Sequence, residues 1–141
     1  MSFVLDASVA LLWLVPETNL AGVDYAAATL KALKESQAVV PSLFALEAAN
    51  VVAKIESKNI VTEADSQRFI ALIRRLNLVT DQATATHALG DTLNLARRYK
   101  LSAYDAAYLE LAQRTGLPLA TLDGNLAKAA TIAGVPIFGK Q

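Results

Sequence analysis

The sequence predicts an α/β fold in which a central parallel sheet is covered by helices on both faces. Short apolar runs alternate with longer segments of helical periodicity along all 141 residues, a pattern typical of βα units. Hydrophobic residues make up 54% of the chain and charged residues 18%, which excludes a disordered protein. This length suits one domain with a substantial core, so we expect no second domain.

The candidate strands are short apolar runs separated by helical patterns. Because strands that alternate with helices form βα units, these runs imply a parallel sheet of about four to five strands. The runs are SFVL (2–5), AVVP (38–41), LNLV (76–79), LPLATLD (117–123) and VPIF (135–138).

The helices are predicted from apolar residues at helical spacing. Phe69, Leu72, Ile73 and Leu76 mark a helix from Thr62 to about residue 75. Others are expected around residues 7–14, 19–35 and 43–58, through Leu89, Leu93 and Ala96, through Ala107 and Leu111, and over NLAKAATIAG (125–134), which Gly134 should end.

Several kinds of site are excluded by composition. The chain has no cysteine and one histidine, so disulfides, thiolate zinc sites and cysteine nucleophiles are ruled out. His87 falls in ATATHALGD, where a mid-helix surface or packed role is expected. A Ser–His–Asp site or a two-histidine ribonuclease cannot be built around it. No phosphate-cradling glycine motif is present.

The charge pattern gives no strong sign of a partner. Formal net charge is zero, from 13 basic and 13 acidic residues, so no overall field attracts nucleic acid. The local cluster RRYK (97–100) suits either RNA contact or compensation of a helix dipole. The apolar stretch at the start lacks a basic region and is broken by Asp6 and Glu17. We therefore expect a cytoplasmic protein with no membrane partner.

Two aspartates stand where predicted strands end and helices begin. Asp6 follows the apolar run FVL, and Asp123 closes LPLATLD. In open α/β sheets the ligand site lies off the carboxyl ends of the strands, so both residues are placed at that edge. Each also suits an ordinary helix N-cap or turn, which leaves a purely structural role open.

Two further carboxylates lie on predicted helix faces. Glu47 is the first charged residue of its helix, with apolar residues one turn before and one turn after it. This setting predicts at least partial burial, with Asn50 as its polar neighbour at i+3. Asp105 falls in the first turn of another helix, where Ser102 could form a capping box with it.

A repulsive cluster would form if four carboxylates converged, those of Asp6, Glu47, Asp105 and Asp123. Two carboxylates about 4 Å apart repel by roughly 4 kcal/mol at an effective dielectric near 20, whereas a domain has about 5–15 kcal/mol of total stability. Such a cluster would take up protons or bind a cation. Ligands made only of oxygen favour Mg²⁺ or Mn²⁺, and a metal-bound water suits phosphodiester hydrolysis.

Four segments in order carry a family resemblance: VLDAS, LEAANV, SAYDAAYLELA and LATLDGNL. In these motifs and in length the chain resembles the PIN-domain nucleases, among them the small VapC-type toxins of prokaryotic toxin–antitoxin pairs. The resemblance implies a PIN-like three-layer α/β/α sandwich, with one PIN domain over residues 1–141. It also implies Mg²⁺- or Mn²⁺-dependent cleavage of structured RNA such as tRNA or rRNA, a homodimer, and a cognate antitoxin that covers the active-site groove.

The resemblance also assigns roles to residues. The family's acidic quartet, which binds metal and carries catalysis, maps onto Asp6, Glu47, Asp105 and Asp123. Ser8 and Thr121 match the hydroxyl positions that support the quartet, and Asn50 matches a polar neighbour of the helical glutamate. Arg97, Arg98 and Lys100 are candidate RNA-binding residues. Tyr104 and Tyr108, beside Asp105, are expected to pack against the protein rather than to stack on bases.

Other classes of protein fit less well. Haloacid-dehalogenase-like phosphatases have a second Asp two residues after the first, where this chain has Ser8. A receiver domain would have clustered acids after the first strand and a lysine after the last, and neither feature fits. The remaining alternative is a catalytically silent PIN-like module that binds RNA or protein.

Overall fold

A four-stranded parallel sheet forms the centre of the computed structural model, which describes residues 1–140. The strand order is β3-β2-β1-β4, and Val4 of the first strand lies beside Val39 on one side and Leu119 on the other. This arrangement confirms the predicted parallel sheet. The strands are β1 (Phe3–Leu5), β2 (Ala38–Val40), β3 (Leu78–Thr80) and β4 (Leu119–Ala120).

Helices cover both faces of this sheet and confirm the three-layer α/β/α sandwich. The helices that follow β1 and β2 along the chain cover one face of the sheet, and the helices that connect β3 to β4 cover the other. This is the arrangement that right-handed crossovers produce. The helices are α1 (Ala7–Ala10), α2 (Val23–Ala32), α3 (Phe44–Ser57), α4 (Glu63–Arg75), α5 (Thr84–His87), α6 (Leu93–Tyr99), α7 (Ala103–Thr115) and α8 (Gly124–Ile132).

The strand order locates the ligand edge of the sheet. The chain moves outward from β1 through β2 to β3 and then returns to place β4 on the other side of β1. The strand order therefore reverses between β1 and β4, and ligands of open α/β sheets bind at such a switch point, outside the carboxyl ends of the strands. Asp6 directly follows β1 and Asp123 lies just beyond β4, so the two flank this point.

The last predicted strand, VPIF, is not a strand. Only a single parallel bridge joins Ile137 to Leu119. Pro136 has no N–H to donate to a ladder, and Gly139 then turns the chain with a φ of 76°. The segment still packs on the sheet, because the Phe138 ring stacks on Phe3 with centroids 3.9 Å apart.

Three predicted helices are shorter than expected. The helix expected around residues 7–14 ends at Ala10, after which Leu11–Trp13 form a 3₁₀ turn. The helix expected over residues 19–35 begins only at Val23, because residues 20–22 form a 3₁₀ turn that the Asn19 side chain caps by accepting the Gly22 N–H at 3.2 Å. The pattern around Leu89 contains a π-type segment, Ala88–Thr92, in which Gly90 departs from helical geometry at φ −111° and ψ −106°. His87 therefore ends α5 instead of lying in mid-helix.

Buried apolar side chains link the sheet to both helical layers. Phe3, Val4 and Leu5 of β1 are fully buried, as are Leu109 of α7 and Leu126 of α8. These contacts fix α7 and α8 against the strands whose ends carry the aspartates. None of the helices within residues 1–140 has the length and apolar character that a bilayer-spanning helix needs.

Candidate active site

Asp6 is the most constrained of the candidate carboxylates. Its Oδ2 accepts hydrogen bonds from Ser8 Oγ at 2.6 Å and Thr121 Oγ1 at 2.8 Å, and the residue is 4% exposed. The two hydroxyl oxygens in turn accept the backbone N–H groups of Leu122 and Asp123, each at 3.0 Å. This network fixes the Oδ2 oxygen of Asp6, and a backbone hydrogen bond from Ala7 also supports the carboxylate.

Asp6 occupies the N-cap position of α1, but its side chain makes no capping hydrogen bond to that helix. A side-chain cap therefore does not explain why a carboxylate stands here. Burial raises the pKa of the Asp6 carboxyl, the hydroxyl bonds from Ser8 and Thr121 oppose that rise, and the nearby charge of Asp123 adds to it. Within residues 1–140, Asp6 forms no ion pair with a basic side chain, so this buried carboxyl lies at a strand end at a cost to stability.

Glu47 projects from the first turn of α3 and is held by a tyrosine from another helix. Tyr108 of α7 is fully buried, and its hydroxyl donates to Glu47 Oε1 at 2.5 Å. Glu47 itself is half-buried, as its apolar neighbours predicted. Burial raises its pKa, the Tyr108 hydroxyl lowers it, and the charges of Asp6 and Asp105 raise it. Asn50 is exposed and makes no hydrogen bond to Glu47 within the described chain.

Asp105 lies in the first turn of α7, three residues before Tyr108. Ser102 caps the helix by accepting the Asp105 backbone N–H at 3.1 Å, and the reciprocal bond of a full capping box is not formed. Burial, followed by the charges of Asp123 and Asp6, raises the pKa of Asp105 to about 6. The side chain of Asp105 thus remains available to the cluster while Ser102 satisfies the helix end.

Asp123 is the one quartet member that does cap a helix through its side chain. It precedes α8, and its Oδ1 accepts the Leu126 N–H at 3.0 Å. The predicted capping role is therefore confirmed for Asp123. Its charge also raises the pKa values of Asp6 and Asp105, so it lies in the same electrostatic neighbourhood.

The charges of the four acids influence one another near the carboxyl edge of the sheet. The charge of Asp6 raises the pKa of Glu47 and of Asp105, and the charge of Asp105 raises the pKa of Glu47. The charge of Asp123 raises the pKa of both other aspartates. The hydroxyls of Ser8 and Thr121 contact Asp6 directly.

The side chains of the four acids offer carboxylate oxygens, which are the ligands that hard divalent ions prefer. The acids are widely spaced, however: among residues 1–140, no three Asp, Glu, His or Cys side chains are grouped so that they could hold a metal ion as placed. Mg²⁺ usually keeps several waters and takes only one or two carboxylates directly. These residues would therefore suit a hydrated ion better than a fully chelated one.

The raised pKa of Asp105 predicts how metal-free stability depends on pH. The folded protein holds this proton up to about pH 6, whereas the unfolded chain releases it near the ordinary value of 3.8. Because the folded state binds more protons in that window, unfolding free energy should fall as pH rises from about 4 to 6. Urea unfolding across this range should show a flatter pH dependence for Asp105→Asn than for wild type, whereas exposed Asp24→Asn should retain the slope. Equal slopes in wild type and Asp105→Asn would contradict the assignment.

The basic residues near the site divide into two sets. Arg98 and Lys100 line a surface pocket together with Lys128 of α8. Arg97 does not line that pocket, and its guanidinium donates to Asn94 at 3.4 Å. The guanidinium of Arg98 also lies 5.7 Å from the centre of the Tyr99 ring.

Sequence reasoning missed the connection between Tyr108 and Glu47. It correctly expected Tyr108 to pack, but Tyr104 is 65% exposed, contrary to expectation. A buried tyrosine needs a partner for its hydroxyl, and Glu47 is the one acid of the four that has no cap or turn role in the sequence. These two facts together would have suggested a hydrogen bond between Tyr108 and Glu47.

Comparisons with known proteins show the family of this chain and the fold that it shares. The family model described as the PIN domain matches residues 3–132. Among solved structures, PAE2754 from Pyrobaculum aerophilum superposes with a TM-score of 0.63 at 21% sequence identity, covering 92% of this chain and 79% of that chain. At this identity the likeness shows a shared fold. A comparison with curated proteins gave no significant match.

Proposed function

This chain belongs to the PIN-domain family, and from that premise we propose that it is a Mg²⁺- or Mn²⁺-dependent endoribonuclease. PIN domains are commonly nucleases, which supports a hydrolase acting on nucleic acid. The observation that carries the finer proposal is the coupled group of Asp6, Glu47, Asp105 and Asp123 at the switch point of the sheet.

The catalytic and metal-binding roles fall to these four acids. Asp6, Glu47 and Asp105 would be the principal ligands, and Asp123, whose Oδ1 is engaged by the cap of α8, would act from its other oxygen or through a water. When bound, the metal ion would lower the pKa of a water and offset charge that develops on the phosphate.

The surrounding residues keep the acids in place before metal binds. Ser8 and Thr121 both hold the Oδ2 oxygen of Asp6, so the direction of this carboxylate is set. Tyr108 holds Glu47 beside Asp105, because Tyr108 and Asp105 share one face of α7 at i, i+3 spacing. Asn50, which is exposed, would act only through water.

The finer identity we propose is a VapC-like toxin that cuts structured RNA such as tRNA or rRNA in the cytoplasm. It would work as a homodimer and be neutralised by a cognate antitoxin. The order of the four motifs supports this proposal. An apolar groove between α3 and α4, of about 620 Å³ and lined by Phe44, Val52, Phe69 and Ile73, offers a surface of the kind such protein partners bury.

A catalytically silent PIN-like module is the second candidate. The observation that favours it is the open spacing of the carboxylates, which do not form a preassembled metal group within residues 1–140. The two candidates differ in a measurable way, because only the nuclease must couple metal binding to RNA cleavage.

Metal titration of the metal-free protein tests the proposal. We expect Mn²⁺ to give a calorimetric binding signal at millimolar concentration or below and to switch on cleavage of total RNA. Glu47→Gln should lose both, whereas Glu56→Gln should keep both. Glu56 is a matched control, since it lies nine residues further along α3, about 14 Å by the helical rise. Wild-type protein that binds no metal, or binds metal without cutting RNA, would support the silent module.

A further inference from the structure

A tyrosine hydroxyl replaces one backbone hydrogen bond beside β4. The segment that ends at Phe138 begins to pair with β4 as a parallel strand, because Leu119 N–H donates to Pro136 C=O and Phe138 N–H donates to Leu119 C=O, each at 2.9 Å. In a parallel ladder the next bond would join the Thr121 N–H to the Phe138 C=O. No such bond forms among residues 1–140. Instead, the hydroxyl of Tyr25 on α2 donates to that carbonyl at 2.7 Å.

The same hydroxyl also bonds the backbone of Thr121. Burial raises the pKa of Tyr25 to about 12, and a backbone hydrogen bond from Thr121 opposes that rise. A backbone group that lowers the pKa of a phenol must be a donor, and is therefore the N–H of Thr121. The Tyr25 hydroxyl thus lies between the Thr121 N–H and the Phe138 C=O, and it completes the ladder that the backbone leaves open.

The start of α2 also packs against the residue that follows Thr121. Gly22, directly before α2, is buried, and a Cβ at this position would lie 2.8 Å from Cδ1 of Leu122. The Leu122 backbone N–H donates to Ser8 Oγ at 3.0 Å. Contacts from the start of α2 therefore reach Thr121 and Leu122, and both of these residues belong to the hydrogen-bond network that holds Asp6.

Thr121 connects the Tyr25 hydroxyl to the acids. Its Oγ1 donates to Asp6 Oδ2 at 2.8 Å and accepts the Asp123 N–H at 3.0 Å. Because β4 ends at Ala120, Thr121 lies one residue beyond the strand. The Tyr25 hydroxyl therefore holds the backbone of Thr121 at the point where the regular ladder has ended.

From this geometry we propose that Tyr25 is a positioning residue of the candidate active site, which sets the direction of the Asp6 carboxylate through Thr121. The inference rests on the proposed function and deepens it, because it adds α2 to the elements that build the site. The hydroxyl bonds Phe138 and Thr121 and not an acid, so its effect must pass through Thr121. Sequence reasoning did not single out Tyr25, since Phe138 lies 113 residues further along the chain.

Tyr25→Phe tests the proposal in the metal-free protein, because it removes the hydroxyl and keeps the ring. In EDTA, NMR should show amide hydrogen exchange at Thr121 that is faster by about 3- to 10-fold, the effect of losing one hydrogen bond. The amide of Val4, in the centre of the sheet, should retain its wild-type rate. The carboxyl carbon resonance of Asp6 should shift, because Thr121 Oγ1 donates to that group.

The affinity for Mn²⁺, measured by calorimetry, gives a second readout. Tyr25→Phe should weaken binding by about 10-fold, the lower end of the loss seen when a group that orients a metal ligand is removed. Thr121→Val removes the hydroxyl that joins Thr121 to Asp6. Adding Tyr25→Phe to Thr121→Val should therefore weaken binding no further, since the two changes act on one path.

Two controls separate positioning from general damage to the fold. Trp13, the only tryptophan, donates its indole N–H to the Ala26 carbonyl of α2 at 2.8 Å, so its fluorescence reports whether α2 keeps its place. The emission spectrum of Tyr25→Phe should match that of wild type. Tyr99→Phe, which removes a tyrosine hydroxyl from α6, should retain both the exchange rates and the affinity for Mn²⁺.

The possible outcomes distinguish this proposal from the nuclease proposal. Exchange that is accelerated equally at Val4 and Thr121, or a shifted Trp13 emission, would overturn the positioning role, because the whole fold or α2 would then have moved. An equal further loss of Mn²⁺ affinity in the Thr121→Val background would overturn the path through Thr121. Wild-type protein that binds no Mn²⁺ would count against the proposed function, and the exchange rates and the Asp6 resonance in EDTA would still decide the role of Tyr25.

Discussion

Replacing Asp6 with asparagine is expected to abolish RNA cleavage while the metal-free protein keeps or gains stability. Loss of residues that only support a metal ligand already costs about 10–100-fold in metal affinity or activity, so loss of the central acid should exceed 100-fold. Asparagine retains a carbonyl oxygen that can accept the hydroxyls of Ser8 and Thr121. It removes a buried charge that the other acids repel.

Two measurements on the same samples check this expectation. Cleavage of total RNA with Mn²⁺ gives the activity, and urea unfolding in EDTA gives the free energy of unfolding. Asp24→Asn is the control, since Asp24 is an exposed acid in the first turn of α2, remote in sequence from all four segments of the site. A clear loss of stability in Asp6→Asn would return this residue to a structural role, and retained cleavage would remove it from the active site.

The sequence was sufficient to place Asp6 and Asp123 at one edge of the sheet, because topology determines where strand ends lie. Apolar runs ending in Asp6 and Asp123 predict strand ends, and in a parallel sheet those ends share one edge. The boundaries of α3 and α4 were also predicted to within about a residue. Thr62 and Asp65 form a capping box there, a local signal that needs no tertiary information.

Local sequence could not separate acids whose side chains cap a helix from acids whose side chains do not. Asp6 and Asp123 have similar contexts, yet only Asp123 caps its helix. The difference arises from Thr121, which is distant in sequence from Asp6 but bonds its Oδ2 at 2.8 Å. The bond from Tyr108 to Glu47 likewise joins residues from two different helices. Such contacts depend on how elements pack, and periodicity carries no information about that.

The basic residues also show that local sequence does not reveal which side chains meet in the fold. Sequence grouped Arg97 with Arg98 because they are adjacent, but consecutive residues on a helix point about 100° apart. Of these two, only Arg98 lines the surface pocket that Lys128 of α8 also lines. Grouping by chain position therefore did not predict which basic side chains share this pocket.

Replacing Arg114 with methionine is expected to destabilise the protein by about 1–3 kcal/mol, the usual cost of leaving one buried polar group, here the Glu110 carboxylate, without its partner. The Arg114 guanidinium donates to both oxygens of Asp81, at 3.1 and 2.7 Å, and to both oxygens of Glu110, at 2.8 and 3.1 Å. The Glu110 side chain is 5% exposed and that of Asp81 is 13% exposed. These contacts attach the loop after β3 to α7.

Acid should weaken the contacts of Arg114 with Asp81 and Glu110. The direction of this pH dependence follows from the pKa of Asp81. Hydrogen bonding to Arg114 holds the pKa of Asp81 below its ordinary value of 3.8. The stability that this provides is present above pH 3.8 and is lost as pH falls through the lower, folded-state pKa. Urea unfolding at pH 7 and at pH 3 should therefore show a smaller gap between wild type and Arg114→Met at the lower pH.

Removing all three charges together should cost much less than removing Arg114 alone. In the triple variant Asp81→Asn, Glu110→Gln, Arg114→Met no charge is left buried without a partner, so most of the loss should be recovered. Arg97→Met is the control for simple loss of a surface arginine. A loss below about 1 kcal/mol for Arg114→Met would place the network among solvent-exposed ion pairs. A triple variant as unstable as the single one would show that Arg114 acts through packing of its side chain rather than through charge.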